Sequence, residues 1–311
     1  MSALICGSFA YDTIMVYTGH FKNEILPDRV HMLNVSFLVP EMRREFGGCA
    51  GNIAYSLKLL GGDGVPMGTV GTDFDDYAAW MDEHGISRDY IKGVDEAYTA
   101  QAYITTDLDD NQITAFHPGA MNYAHEQQVP VDAGITLGIV SPDGKDGMVQ
   151  HAAQFAEAGI DFIFDPGQGL PMFNGEELKR FLGQAAYVAV NDYEAELMSD
   201  RTGLSVSDMA KQLKAMIVTK GGEGSVIHAD GEQIKIPAGS PTALADPTGC
   251  GDAFRAGLIW GLQQGLDWPT IGRVASLMGT IKIERPGTQN HRFTMDQFKA
   301  RYKEEFEREL A

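Results

Sequence analysis

Three cysteines in 311 residues, Cys6, Cys49 and Cys250, are too few and too far apart for a disulfide framework or a metal-spaced pair. They suit a reducing compartment, and a cytoplasmic protein is expected. No apolar run approaches the roughly 18 residues of a membrane-spanning helix. Met1 to Tyr11 carries no basic stretch ahead of its apolar residues, so no signal peptide is expected. Basic residues are scarce: 24 Lys and Arg stand against 43 Asp and Glu, a net charge of −19. So acidic a chain lacks the basic surface of a sequence-independent nucleic-acid binder. It can still hold a nucleotide cofactor locally through backbone amides. The eight histidines form no His-Glu-x-x-His pair, and no Gly-x-x-x-x-Gly-Lys-Ser/Thr loop occurs. Gly7-Ser-Phe-Ala-Tyr-Asp12 stands where a dinucleotide-binding Gly-x-Gly-x-x-Gly would follow the first strand, which argues against a Rossmann dinucleotide site.

What is present alternates short apolar runs with helix-like stretches. Ala3–Cys6, Val65–Val70, Ile135–Val140, Asp161–Phe164, Tyr187–Val190 and Met216–Thr219 read as buried strands. Cys49–Leu60, Phe74–His84, Gly147–Ala158, Glu176–Gln184 and Ser205–Ala215 read as helices, with Gly85 closing the second. This order predicts an α/β fold with a mostly parallel sheet covered on both faces. Asn34–Val39 and Ala100–Phe116 break the order and are expected to form a small second sheet, the latter as a hairpin around Asp107–Asn111. Asp107, Asp109 and Asn111 match the start of a calcium loop, but Gln112 and Pro118 end the match, and a polar turn is expected.

The strongest local signal is Asp246-Pro-Thr-Gly-Cys-Gly-Asp252 ahead of a long apolar helix. Glycines at a helix start let N–H groups converge on an anion, helped by the helix dipole. Asp252 would repel phosphate there, so it makes sense as a base that takes a proton from an attacking hydroxyl, or else as a helix N-cap. Cys250 sits where a thiol pKa can fall, although a small residue that simply fits is the plainer reading. Gly47-Gly-Cys-Ala-Gly-Asn52 also opens a helix, and Asn52 offers the donors and acceptors that sugar hydroxyls need. Asn191-Asp-Tyr-Glu194 follows a strand; it is either a helix cap or a place where Glu194 holds a magnesium-bound water. Val218–Gly224 runs a strand into a glycine-rich turn that either covers a nucleotide or makes a plain hairpin, and Asp12 lies just past the first strand.

In this order the motifs resemble the ribokinase-like, PfkB-type family of carbohydrate and nucleoside kinases over nearly the whole chain. The phrases Asp246–Gly257 and Thr106–Thr114 look most like prokaryotic nucleoside kinases of the adenosine kinase type. The resemblance implies a three-layer α/β/α, Rossmann-like domain (1–10, 44–96 and 119–311) with a β-sheet lid (11–43 and 97–118). It implies transfer of phosphoryl from ATP to a nucleoside 5′-hydroxyl, adenosine before others, with Asp252 as base and the Gly249, Cys250 and Gly251 amides as anion hole. Ser8, Asp12, Gly48, Asn52 and Phe116 would meet the nucleoside, although Ser8 replaces the asparagine of many relatives. Phe37, Tyr103 and Met121 are further candidates for the base. Asn191, Thr219, Gly222, Gly224 and Thr248 would line ATP, and Glu194 would serve Mg²⁺ through water. Asp246 and Thr248 match positions that bind a monovalent cation, K⁺, in some relatives, with Gly287-Thr-Gln289 closing that loop. His291 departs from the small polar residue expected there. Arg43, Arg44 or Arg255 would supply a further positive contact. A monomer or homodimer acting on small molecules is expected. The alternatives are a ribose or other sugar kinase and a catalytically silent nucleoside-binding regulator; a pyridoxal-type kinase is disfavoured by the Gly48 and Asn52 match.

Overall fold

A computed structural model describes residues 2–25, 34–109 and 111–310. Its strands are β1 (Ser2–Cys6), β2 (Ala10–Val16), β3 (Glu41–Gly47), β4 (Gly64–Val70), β5 (Tyr90–Gly93), β6 (Ala100–Thr106), β7 (Gln112–His117), β8 (Ile135–Val140), β9 (Phe162–Phe164), β10 (Tyr187–Asn191), β11 (Ala215–Thr219), β12 (Ser225–Ala229) and β13 (Glu232–Ile236). The helices are α1 (Phe21–Glu24), α2 (Cys49–Leu59), α3 (Asp75–Glu83), α4 (Lys145–Glu157), α5 (Gly175–Gln184), α6 (Asp192–Thr202), α7 (Val206–Ala210), α8 (Cys250–Gln263), α9 (Trp268–Ile283) and α10 (Met295–Phe306).

Nine strands form the large sheet in the order β13-β12-β11-β10-β9-β8-β1-β4-β5. All its pairings are parallel except β11–β12 and β12–β13, which are antiparallel. Parallel strands covered on both faces need apolar residues at every position, and Ala3-Leu-Ile-Cys6 meets that need with at most 1% exposure. Ala3 and Ile5 point into a core shared with α2, α3, α8, α9 and α10. Leu4 and Cys6 point into the opposite core with α4, α5, α6 and α7. The result is the expected α/β/α sandwich. Asp165, Asn191 and Thr219 lie at or just past the carboxyl ends of parallel strands, where ligands bind in open α/β sheets, and Asp12 lies near the start of β2.

The second sheet has four strands in the order β3-β2-β6-β7. Here the sequence expectation needs correction. Asn34–Val39 is not a strand; its Phe37 ring packs 4.9 Å from Tyr17 and 5.0 Å from Phe21 instead. The pairing strands are β2 and β3, and β3 crosses the 43/44 boundary drawn from sequence. Residues 26–33 of the proposed lid segment lie outside the described residues. The Ser205–Ala215 helix is also shorter than expected: α7 stops at Ala210, and Ala215 already begins β11. At the expected hairpin tip Asp107 Oδ1 accepts the N–H groups of Asp109 and Asn111, each at 2.9 Å.

Candidate active site

The Asp252 carboxylate sits in the first turn of α8 without capping it. The N-cap is Gly249, in the left-handed region (φ 78°, ψ 2°), which glycine adopts without strain. Asp252 Oδ2 instead accepts the Asn52 side-chain N–H at 2.8 Å, 200 residues away in sequence. Asn52 is oriented from behind. Its Oδ1 accepts from Gln289 Nε2 at 3.0 Å, and Gln289 Oε1 accepts from Trp80 Nε1 at 2.9 Å. Gln289 also donates to Tyr77 at 2.6 Å, and the Tyr77 hydroxyl donates to Gly47 O at 2.9 Å. Three buried or half-buried side chains, Gln289, Trp80 and Tyr77, therefore fix which way the Asn52 amide faces, and it faces the carboxylate with its donor.

Burial is the largest influence on Asp252, raising its pKa to about 6. Asp165 adds to the rise, while Asn52, Arg255 and the Cys49 thiol oppose it. A carboxylate tuned this way is ionised at neutral pH yet more basic than an exposed one, as proton abstraction requires.

The expected anion hole differs by one member. Cys250 N–H bonds to Pro247 O at 3.1 Å. The N–H groups of Gly249, Gly251 and Asp252 have no protein acceptor among the described residues. These three are open to an anion, and the helix dipole adds positive potential. The Cys250 thiol, at a helix start where its pKa can fall, is pushed up to about 11: burial first, then Asp246 and Asp252, outweigh Lys282.

Asp12 is paired across the small sheet with Glu45 and Ala102, and Ala102 with Phe116, so the four share one face. Burial, then Asp246 and Glu45, raise the Asp12 pKa to about 6. Phe116 is 50% exposed on that face, whereas Tyr103 lies on the other. Ser8 Oγ accepts the Cys49 N–H at 3.2 Å, satisfying an orphan donor at the start of α2. Gly48 joins β3 to α2 at φ 87°, ψ 140°, and a Cβ there would lie 2.5 Å from Ser8 O and 2.6 Å from Ala10 N. Gly48→Ala is therefore expected to cost about 3 kcal/mol by combining backbone strain with overpacking. Urea denaturation of the variant against the wild type measures it.

Four residues expected to line ATP, Asn191, Thr219, Gly222 and Gly224, form a second group on the same edge. Asn191 and Thr219 are register partners on β10 and β11. Asn191 caps α6: its Oδ1 accepts the Glu194 N–H at 2.7 Å, and Glu194 Oε2 accepts the Asn191 N–H at 2.9 Å. Capping and metal service are compatible, because Glu194 Oε1 has no protein partner among the described residues. Mg²⁺ held through water thus fits Glu194. Gly222 lies in the short turn between β11 and β12 with open space around it, and Gly224 closes that turn against the Ile236 carbonyl. The turn is a hairpin, and it lies at the end of the strand that carries Thr219.

K⁺ at Asp246 and Thr248 does not fit the donor set, because the Lys282 ammonium bonds to Asp246 O at 2.7 Å. The three arginines considered as phosphate contacts are all engaged. Arg43 lies 3.3 Å from Glu45, and Arg44 stacks 3.5 Å above Tyr11 and reaches Asp73 at 3.6 Å. Arg255 is buried in a two-point pair with Asp165, Nη2 to Oδ1 at 2.9 Å and Nε to Oδ2 at 3.1 Å. It also donates to Ala189 O on β10 at 3.0 Å, linking α8 to the Asn191 group.

Asp165, Lys282, Tyr77 and Trp80 escaped sequence reasoning. Only Asp165 carried a signal, an acid directly after an apolar strand.

A family model described as pfkB family carbohydrate kinase matches residues 7–294. The chain belongs to the pfkB family of carbohydrate kinases. It is accordingly a phosphotransferase that acts on a hydroxyl group, with the ribokinase-like fold. A nucleoside kinase from Burkholderia thailandensis, solved with inosine, is 51% identical, covers 99% of both chains and superposes with a TM-score of 0.90. The same enzyme with ADP and inosine gives a TM-score of 0.88 at 53% identity, covering 99% of this chain and 97% of that one. A nucleoside kinase of Methanothermobacter thermautotrophicus is 32% identical over 287 residues, 90% of this chain and 92% of its own. Among the described residues of this pfkB kinase, no helix is long and apolar enough to cross a membrane.

Proposed function

We propose that this pfkB kinase transfers the γ-phosphoryl group of ATP to the 5′-hydroxyl of a nucleoside, with adenosine as the expected acceptor. The observation that carries this reading is the Asn52–Asp252 contact at the open N-terminus of α8. A proton acceptor and free N–H donors there share one end of a helix, which is what in-line attack on a phosphoryl group needs. Asp252 takes the hydroxyl proton as the oxygen attacks phosphorus. The Gly249, Gly251 and Asp252 N–H groups stabilise the charge on the transferred group. Asp12, Gly48 and Asn52 hold the ribose, Ser8 borders it, and Phe116 covers one side of the base. Asn191, Thr219, Gly222, Gly224 and Thr248 line ATP. Glu194 would hold a water of bound Mg²⁺, which would neutralise phosphate charge. The inosine and ADP complexes of the Burkholderia relative support both substrate classes.

The test is ADP release from Mg·ATP with adenosine, inosine, guanosine, cytidine, ribose and fructose 6-phosphate. Turnover is expected with adenosine above ribose. Inosine ahead of adenosine would keep the nucleoside reading and move the base preference. Turnover with ribose alone would make this a sugar kinase. Tight nucleoside binding in a calorimeter without turnover would make it a regulator.

A further inference from the structure

We propose that the ammonium of Lys282 is a built-in cation that replaces the monovalent metal ion of the Asp246–Gln289 loop, so that phosphoryl transfer by this chain does not depend on K⁺. The inference rests on the phosphotransferase reading of the Asp252 site. Lys282 lies near the end of α9 and is 0% exposed. A buried ammonium must find acceptors, and this one finds two backbone carbonyls: Asp246 O at 2.7 Å and Arg285 O at 3.2 Å. Neutral carbonyl oxygens brought together at the end of a loop are also the donors that strip the hydration shell from K⁺. An ammonium carries the same charge and accepts the same ligands. Two unit positive charges sharing those oxygens would repel each other.

The other residues of the loop are committed as well. Asp246 Oδ1 accepts the Thr248 N–H and Oδ2 the Gly287 N–H, both at 2.9 Å. The carboxylate therefore ties the two halves of the loop together. His291 turns its ring away, with Nε2 3.2 Å from Ser56 Oγ, and its carbonyl accepts the Tyr55 hydroxyl at 2.9 Å. The charges facing Lys282 are the carboxylates of Asp246, Asp252 and Glu45, with the Cys250 thiol beside them. Burial is the largest influence on Lys282 and lowers its pKa, while these neighbours oppose that fall and favour a positive charge there, which the chain supplies covalently. Lys282 acts through the turn beneath Gly249 and Cys250, as a positioning residue.

ADP formation is measured at constant ionic strength with K⁺ exchanged for tetramethylammonium. The wild type is expected to keep its rate within about twofold, whereas Lys282→Ala is expected to lose about tenfold or more through misplacement of the turn. K⁺ or NH₄⁺ should restore part of that loss. The second readout is the melting temperature without nucleotide: indifferent to K⁺ in the wild type, raised by K⁺ in the variant. A wild type that loses activity or melting temperature on K⁺ removal would overturn the proposal. So would a variant that keeps wild-type rate and stays indifferent to K⁺. Should Lys282→Ala not fold, the wild-type arms and Lys282→Met decide. Should no acceptor turn over, the kinase reading fails separately, and the melting arms still test the cation.

Discussion

Asp252→Asn is expected to lower kcat by roughly a thousandfold while leaving nucleoside affinity nearly unchanged, the usual scale for removing a positioned general base. The substitution keeps shape, and the new amide oxygen still accepts from Asn52, so the loss is chemical rather than structural. The pH profile separates the two. Burial, chiefly, holds the Asp252 pKa at about 6, and only the ionised carboxylate accepts a proton. In the wild type kcat should therefore fall about tenfold per pH unit below 6 and stay flat above it. In the variant that limb should vanish from kcat. The limb in kcat/KM also carries Asp12, whose pKa is likewise about 6, and Asp12→Asn isolates it. The same burial gives a stability prediction of opposite sign. A carboxyl raised from its unfolded value of 3.8 binds its proton more tightly when folded. Its contribution is thus full below that value and is lost as pH rises through 6. A neutral amide escapes the cost of ionisation. Asp252→Asn should be more stable than the wild type at neutral pH, by on the order of 1 kcal/mol, and equal to it in acid. Inactive and stabilised is the signature of a base held at some cost to the fold.

Residues whose role follows from local pattern were legible in the sequence. Ala3–Cys6 is apolar at every position because both faces of β1 are buried, and α2 shows Ile53, Leu57 and Leu60 on one stripe. The glycine-led helix starts marked Asp252, Asn52 and Gly48 as candidates, and the fold brings Asn52 and Asp252 within 2.8 Å of each other. The small sheet was harder to read. Glu41-Met-Arg-Arg-Glu-Phe46 is polar because the outer half of β3 is exposed, so nothing marks it as a strand except its pairing with β2. Val35-Ser-Phe-Leu-Val39 alternates enough to imitate a strand, but it pairs with no strand among the described residues, and Phe37 packs against Tyr17 and Phe21. Burial of charge was least legible. Lys282 follows Ile281 in a helix and resembles any solvent-facing lysine until the Asp246 carbonyl lies under it. Asn191 and Glu194 show that alternatives offered by sequence need not compete: the capping box forms and still leaves one carboxylate oxygen for a metal-bound water.

The same burial makes Arg255 the position where a single change should destabilise most. The guanidinium is tied at two points to Asp165 and at a third to Ala189 O, and both side chains are at least 94% buried. Arg255→Met leaves the Asp165 carboxylate in the interior without a counter-charge, and the expected cost is about 3–5 kcal/mol. Asp165→Asn should cost less, because a neutral amide still accepts from the guanidinium, although it leaves Arg255 the only full charge of the pair. Arg255→Met combined with Asp165→Leu removes both charges at once. Well-packed apolar residues can replace a buried pair at little cost, so the double variant should recover most of the lost stability. Urea midpoints of Arg255→Met, Asp165→Leu and the double variant, each against the wild type, form the cycle. Activity should not recover with stability. Arg255 lowers the pKa of Asp252 and Asp165 raises it, so each single variant shifts the acid limb of kcat, Arg255→Met upward and Asp165→Asn downward. The double variant also loses the link from α8 to Ala189, which holds the Asp252 end of the site against the Asn191 and Glu194 end. A double variant that is stable yet slow, with its acid limb back near 6, would assign the pair to alignment of the two substrate halves. One that regains full rate would reduce the pair to a structural tie.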